Sequence, residues 1–119
     1  MTKKTTIFAR FRIPGVHHWP TADETRTHGH LIFPHRHMFH IHAEAQVKHS
    51  DRDIEFLELA DKMKDFLFNM YGIGELKQLC DFSSMSCEDI AETLAYNFPM
   101  CHMVEVSEDG EGGARIVLS

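Results

Sequence analysis

The chain of 119 residues has no cluster of lysine and arginine. With histidine neutral its net charge is −6. A duplex binder needs a cationic surface to displace counterions, so no direct nucleic-acid partner is expected. No apolar run is long enough to span a bilayer, and no membrane segment is expected. The opening MTKKTTIFAR carries two lysines but neither an apolar stretch nor a small-residue cleavage pattern, so no secretory signal is expected. Cysteine is scarce: Cys80, Cys87 and Cys101 are an odd number without framework spacing. Reduced thiols and a cytoplasmic setting follow as the expectation. Low-complexity tracts, internal repeats and linkers are absent, which points to one domain over residues 1–119. Apolar residues at 43% and charged residues at 25% are ordinary for a folded domain with a real core.

Against these absences stands an excess of histidine. Ten of the residues are histidine, and the stretch from 17 to 42 holds most of them. Histidine is the commonest metal ligand and titrates near neutral pH. The positions therefore matter more than the count.

Period-two alternation marks a strand over Ile7–Ile13, with Pro14-Gly15 expected to bend or bulge it. Residues 20–34 read as a loop. Residues 35–48 alternate most clearly. His35, His37, Phe39, Ile41, Ala43, Ala45 and Val47 fall on one face; Arg36, Met38, His40, His42, Glu44, Gln46 and Lys48 fall on the other. His35 and His37 thus continue the apolar stripe, and His40 and His42 are expected to face solvent. From Ile54 the period becomes helical, through Phe56, Leu59, Ala60, Met63, Phe66, Leu67 and Met70, ending near Tyr71-Gly72. A connection follows over 72–85, with a short helical turn expected at Glu75–Leu79. Ser86-Cys87-Glu88-Asp89 is a capping box for a second helix, which Pro99 stops. His102, Val104, Val106 and Glu108 share a face of a third strand. Asp109–Gly113 is a hairpin turn, and Ala114–Leu118 a fourth strand. The order β-β-α-α-β-β predicts an α+β fold, an antiparallel four-stranded sheet with two helices on one face. Such a sheet leaves two open edges, and a homo-oligomer is the expected way to cover them.

His35-x-His37 on one strand face can grip a single ion from one side. The pair needs a third ligand, which His17 or His18, just beyond the first strand, can supply. Three neutral imidazoles would leave a Lewis-acidic ion, with zinc the expected metal. The plainer alternative is that the histidines end an apolar stripe and hydrogen-bond to neighbours. His28-Gly29-His30 sits in the loop and ranks below His35/His37. His102 reads first as a core histidine. Glu108 can accept paired hydrogen bonds from an amidine-like ring edge, as in guanine or pterin, or be a solvated turn residue. Ser86–Glu88 open a helix N-terminus, which suits a carbonyl or anionic group as well as ordinary capping.

Taken together these residues resemble the 6-pyruvoyl-tetrahydropterin synthase / 6-carboxy-tetrahydropterin synthase family, whose members have the tunnelling fold, or T-fold. Gly15-Val16-His17-His18-Trp19-Pro20 is similar to the family's first zinc histidine after strand one, with His17 at the ligand position. His35-Arg36-His37-Met38-Phe39 resembles its histidine pair at the start of strand two. Asp53–Leu57 is similar to the entry of helix one, and Ser86–Ala91 to the entry of helix two. Val104–Glu108 resembles the late strand whose glutamate anchors the pterin ring.

The resemblance implies zinc on His17, His35 and His37, with a pterin or purine-like ligand held by Ser86, Cys87, Glu88 and Glu108. It also implies a barrel made by joining sheets of several subunits. The chain departs from the family at the proton-transfer residues. Thr27–Pro34 contains no counterpart of the catalytic cysteine, with Glu24 an early stand-in. Leu79-Cys80-Asp81-Phe82 offers Asp81 but not the histidine of the Leu-Asp-His motif. Glu24, Asp81 and His102 are the candidate proton carriers. Two functions follow: a zinc-dependent lyase of the tetrahydropterin synthase type, or a non-catalytic module that binds a pterin, nucleotide or nucleobase.

Overall fold

In the computed structural model, which describes residues 2–118, the chain is α+β. Strands β1 (Thr5–His17) and β2 (His35–Val47) are long antiparallel neighbours in register from Thr5↔Val47 to His17↔His35. Helix α1 (Phe56–Tyr71) leads into two short strands, β3 (Gly72–Ile73) and β4 (Leu79–Ser83). Helix α2 (Cys87–Asn97) precedes the hairpin of β5 (Met103–Glu108) and β6 (Gly112–Val117). The sheet order is β3-β4-β1-β2-β5-β6.

The α+β class and the two helices agree with the sequence. The four-stranded antiparallel sheet does not: the sheet has six strands and is mixed, because β4 lies parallel to β1. The expected helical turn at Glu75–Leu79 is absent. Gly74 and Lys77 take positive φ there, and the chain turns into β4 instead. Leu-Cys-Asp-Phe-Ser does alternate, with Cys80 and Phe82 buried. Five residues give that period too little length to stand out beside a helical reading.

Pro14-Gly15 does not interrupt β1. Pro14 stands one residue before β4 joins the strand at Gly15, so its missing N–H falls outside that ladder. A Cβ at Gly15 would sit 2.7 Å from the rings of Phe39 and Phe82. Glycine here is what lets those two rings meet beneath the strand, with centroids 5.0 Å apart.

The odd-numbered residues of β1 and β2 face the helices. Phe11, Ile13, Phe39, Ile41 and Ala43 pack against Leu59, Met63 and Leu67 of α1 and Ile90, Ala91 and Leu94 of α2. Burying such side chains contributes about 1.5–3 kcal/mol each, which fixes the strand parity firmly. Glu55 caps α1 by accepting from the Leu57 N–H. At α2, Ser86 accepts from the Asp89 N–H and Asp89 accepts from the Ser86 N–H, the full capping box. The parity and the α2 cap together bring the ends of β1, β2 and β5 to the start of α2. No helix among the described residues is long and apolar enough to cross a membrane.

Candidate metal centre

Parity carries the apolar stripe of β1 and β2 to their adjoining ends, where it finishes in histidine. His17 and His35 are direct cross-strand partners, and His37 pairs with Gly15 one step further in. The rings lie 4.7 Å (His17–His35), 5.4 Å (His17–His37) and 4.9 Å (His35–His37) apart between centroids. One ring nitrogen from each lies within 4.8 Å of the others. Phe39 closes the floor, edge-on to His17 at 5.1 Å.

Each imidazole is oriented by its other nitrogen. His17 Nδ1 is 2.8 Å from the carbonyl oxygen of Met85, and His35 Nδ1 is 2.8 Å from that of Phe33. His37 Nδ1 is 2.7 Å from the Asp109 carboxylate. Carbonyl and carboxylate oxygens only accept, so all three Nδ1 atoms carry the hydrogen and donate it. In the neutral rings all three Nε2 atoms then hold a bare lone pair. This is how proteins fix the tautomer and aim of metal-binding histidines.

Asp109 is held in turn, its other oxygen accepting from the Met38 N–H at 2.9 Å. The His37 bond and the Met38 N–H hold its carboxyl below the usual range. Burial holds the His17 pKa below its ordinary 6.5, against the raising effects of the Met85 carbonyl and the Glu108 charge. A neutral His17 is the form a metal needs.

Glu108 closes the arrangement. It lies opposite Phe39 in the β2–β5 register, on the core face. Its oxygens reach 3.0 Å from His17 Nε2 and 3.3 Å from His37 Nε2. Neither contact is aligned as a hydrogen bond, and both Nε2 atoms are buried without such a partner among the described residues. Cys87 Sγ lies 3.9 Å from Glu108. Burial, then the charges of Glu108 and Glu88, push its thiol up to about 12, so it is no thiolate at neutral pH. A cleft of about 460 Å³ opens beside the cluster, lined by His37, Cys87, Glu88, Glu108 and Asp109 with the β5–β6 hairpin.

The structure therefore brings His17, His35 and His37 together, and selects His17 over its neighbour. His18 is not part of the cluster; its main-chain N–H donates to the Ser83 carbonyl oxygen. Cys87, Glu88 and Glu108 share one cleft. The Ser86 hydroxyl is occupied by its capping bond to Asp89.

The candidate proton carriers are not gathered at the cluster. Glu24 is exposed in the loop after β1, and its side chain has no hydrogen bond or ion pair among the described residues. Asp81 is exposed and accepts from the Ser83 N–H. His102 sits at the opposite end of β5 from Glu108, with its Nε2 3.8 Å from Glu44. His28 and His30 are exposed in the loop, as read.

Sequence reasoning missed Asp109 as the His37 partner, since it reads as a turn residue, and its φ of 57° fits that role too. The Met85 and Phe33 carbonyls could not be found, because main-chain acceptors leave no mark in a sequence.

No protein-family model matches the chain, and no curated protein matches it.

Proposed function

We propose that the protein is a metal-dependent enzyme of the 6-pyruvoyl/6-carboxy-tetrahydropterin synthase type, with zinc on His17, His35 and His37. The observation that carries the metal is the set of three imidazoles whose Nδ1 atoms are all anchored and which bring one ring nitrogen each within 4.8 Å of the others. The donor set fits zinc: three nitrogens, no thiolate, and room for one more ligand. Bound zinc would supply Lewis acidity toward a carbonyl or hydroxyl oxygen.

The cleft beside His37 is the proposed place of the ring. Its carboxylates, Glu108 and Glu88, suit a ligand edge that presents N–H donors, as a pterin or purine-like ring does. Assembly of the T-fold kind is part of the proposal. It is supported by sheet edges open at β3 and β6, where Val117 and Leu118 are exposed.

A second reading is favoured by a specific observation: Glu24, Asp81 and His102 lie apart from the cluster. A module that binds a pterin, nucleotide or nucleobase without turning it over needs the cleft but not those groups. Elemental analysis of untagged protein should find about one zinc per chain. A turnover assay of the zinc-loaded protein on dihydropterin substrates then divides the two readings. Product formation supports the enzyme; saturable ring binding without product supports the module. Absence of metal after zinc is offered would remove the enzyme reading and leave the module as the reading to test.

A further inference from the structure

We propose that Glu108 is the fourth ligand of the metal, so that the resting centre is a closed three-histidine, one-carboxylate site. The inference rests on the metal reading above and asks more of it. A tetrahedral ion with bonds of about 2.0–2.2 Å to nitrogen and oxygen sets its neighbouring donor atoms roughly 3.3–3.5 Å apart. Glu108 stands 3.3 Å from His37 Nε2 and 3.0 Å from His17 Nε2, close to that spacing.

The second argument concerns what those contacts are not. The Nδ1 hydrogens of His17 and His37 are donated to Met85 and Asp109, so in the neutral rings each Nε2 presents a lone pair, not a hydrogen, to Glu108. Lone pairs and carboxylate oxygens are acceptors alike. Crowded together at the edge of a core, they repel unless a cation lies among them, either a proton on a ring or a metal ion that all of them can share. Both Nε2 atoms are also left without a hydrogen-bond partner among the described residues, as a metal ligand's lone pair would be.

A ring anchor would be expected to turn its oxygens into the cleft, yet both Glu108 oxygens lie against imidazoles. Other contacts do not hold it there, since Cys87 Sγ at 3.9 Å is a weak donor. The consequence is an exchange. A ring that engages Glu108 draws it off the metal and opens the fourth position at the same moment, so the ion is shielded until a ligand with paired N–H groups arrives.

The test compares the full chain with Glu108→Gln and, as a control on the exposed face of α2, Glu92→Gln. Zinc affinity is measured by competition with a chromophoric chelator, and the coordination sphere by the visible spectrum of the cobalt(II)-substituted protein. Loss of the carboxylate is expected to weaken zinc by about tenfold or more, within or above the range for losing a supporting group. The cobalt band should move, and Glu92→Gln should match the parent. Should Glu108→Gln not fold, Glu108→Asp keeps the charge, shortens the reach, and should show the same weakening. Unchanged zinc affinity and an unchanged cobalt spectrum in the folded variant would overturn the inference and leave the three-histidine site standing. A parent protein that takes up neither metal would overturn both.

Discussion

Strand β2 carries two pairs of histidines with opposite fates. His35 and His37 have odd numbers, lie on the core face, and meet His17 with every ring held by an oriented acceptor. His40 and His42 have even numbers and lie on the other face, across from Arg12 and Arg10 of β1. There His42 makes a 3.2 Å contact with Glu44, whose other oxygen lies 3.8 Å from His102 Nε2, and among the described residues these groups do not converge as His17, His35 and His37 do. Residue type and strand are the same, and even the local spacing is the same. The difference is which side of the pleat the core selected, so the hydrophobic pattern decides which histidines can act together.

The sharpest way to break this contrast is substitution within each pair. His35→Ala and His37→Ala should each abolish stoichiometric zinc, whereas His40→Ala and His42→Ala should retain it by elemental analysis. Retention of full zinc in both core-face variants would remove the site.

Next in size is acid. Protons compete with the metal for the ring nitrogens, so zinc should be released on acidification. His17 is protonated more readily in the unfolded chain than in the folded one, because burial lowers its pKa. The metal-free protein should therefore lose stability as pH drops from 6.5 toward the lower folded value, and not above it. Thermal unfolding with and without zinc across this window measures both effects. The even-face histidines have no zinc to release, so His40→Ala should leave the zinc-release profile in place.

Asp109→Asn probes orientation rather than ligation. It removes the acceptor that sets the His37 tautomer, while an amide oxygen can still serve the Met38 N–H. Zinc affinity should fall by about 10–100-fold, as for other supporting groups, without loss of the fold. An unchanged affinity would show that the Asp109 contact does not matter.

The smallest effects are on stability. Gly15→Ala places a methyl 2.7 Å from two aromatic rings and should cost about 1–3 kcal/mol in denaturant unfolding. Ser86→Ala removes the capping box of α2 and should cost about 1 kcal/mol.

Period and capping made much of this legible in the sequence. The alternation of β2 placed His35 and His37 on the core side, and Ser86 with Asp89 announced α2. His17 could not be separated from His18, because a terminal strand residue lacks enough neighbours to set its parity. The unbroken register of β1 on β2 settles it by setting His17, buried, directly opposite His35. Strands β3 and β4 escaped because they are short, and because β4 is held by a parallel pairing with β1, a long-range contact that local pattern cannot express. The anchoring acceptors escaped for the same reason: two are main-chain oxygens, and Asp109 belongs to a hairpin that reaches β2 only in three dimensions.

The parallel contact of β4 with β1 also bears on how the molecule would come apart. Met85, which orients His17, follows directly on β4, and the chain enters α2 immediately afterwards. A metal on His17, His35 and His37 would act as a cross-link joining β1 to β2, and through the Met85 carbonyl would steady the stretch between β4 and α2. Such a clip restrains fraying of the strand ends far more than it restrains the core, which is already packed. Amide hydrogen exchange should then slow on zinc addition at the β1–β2 ends and across residues 83–86, and hardly at all along the middle of α1.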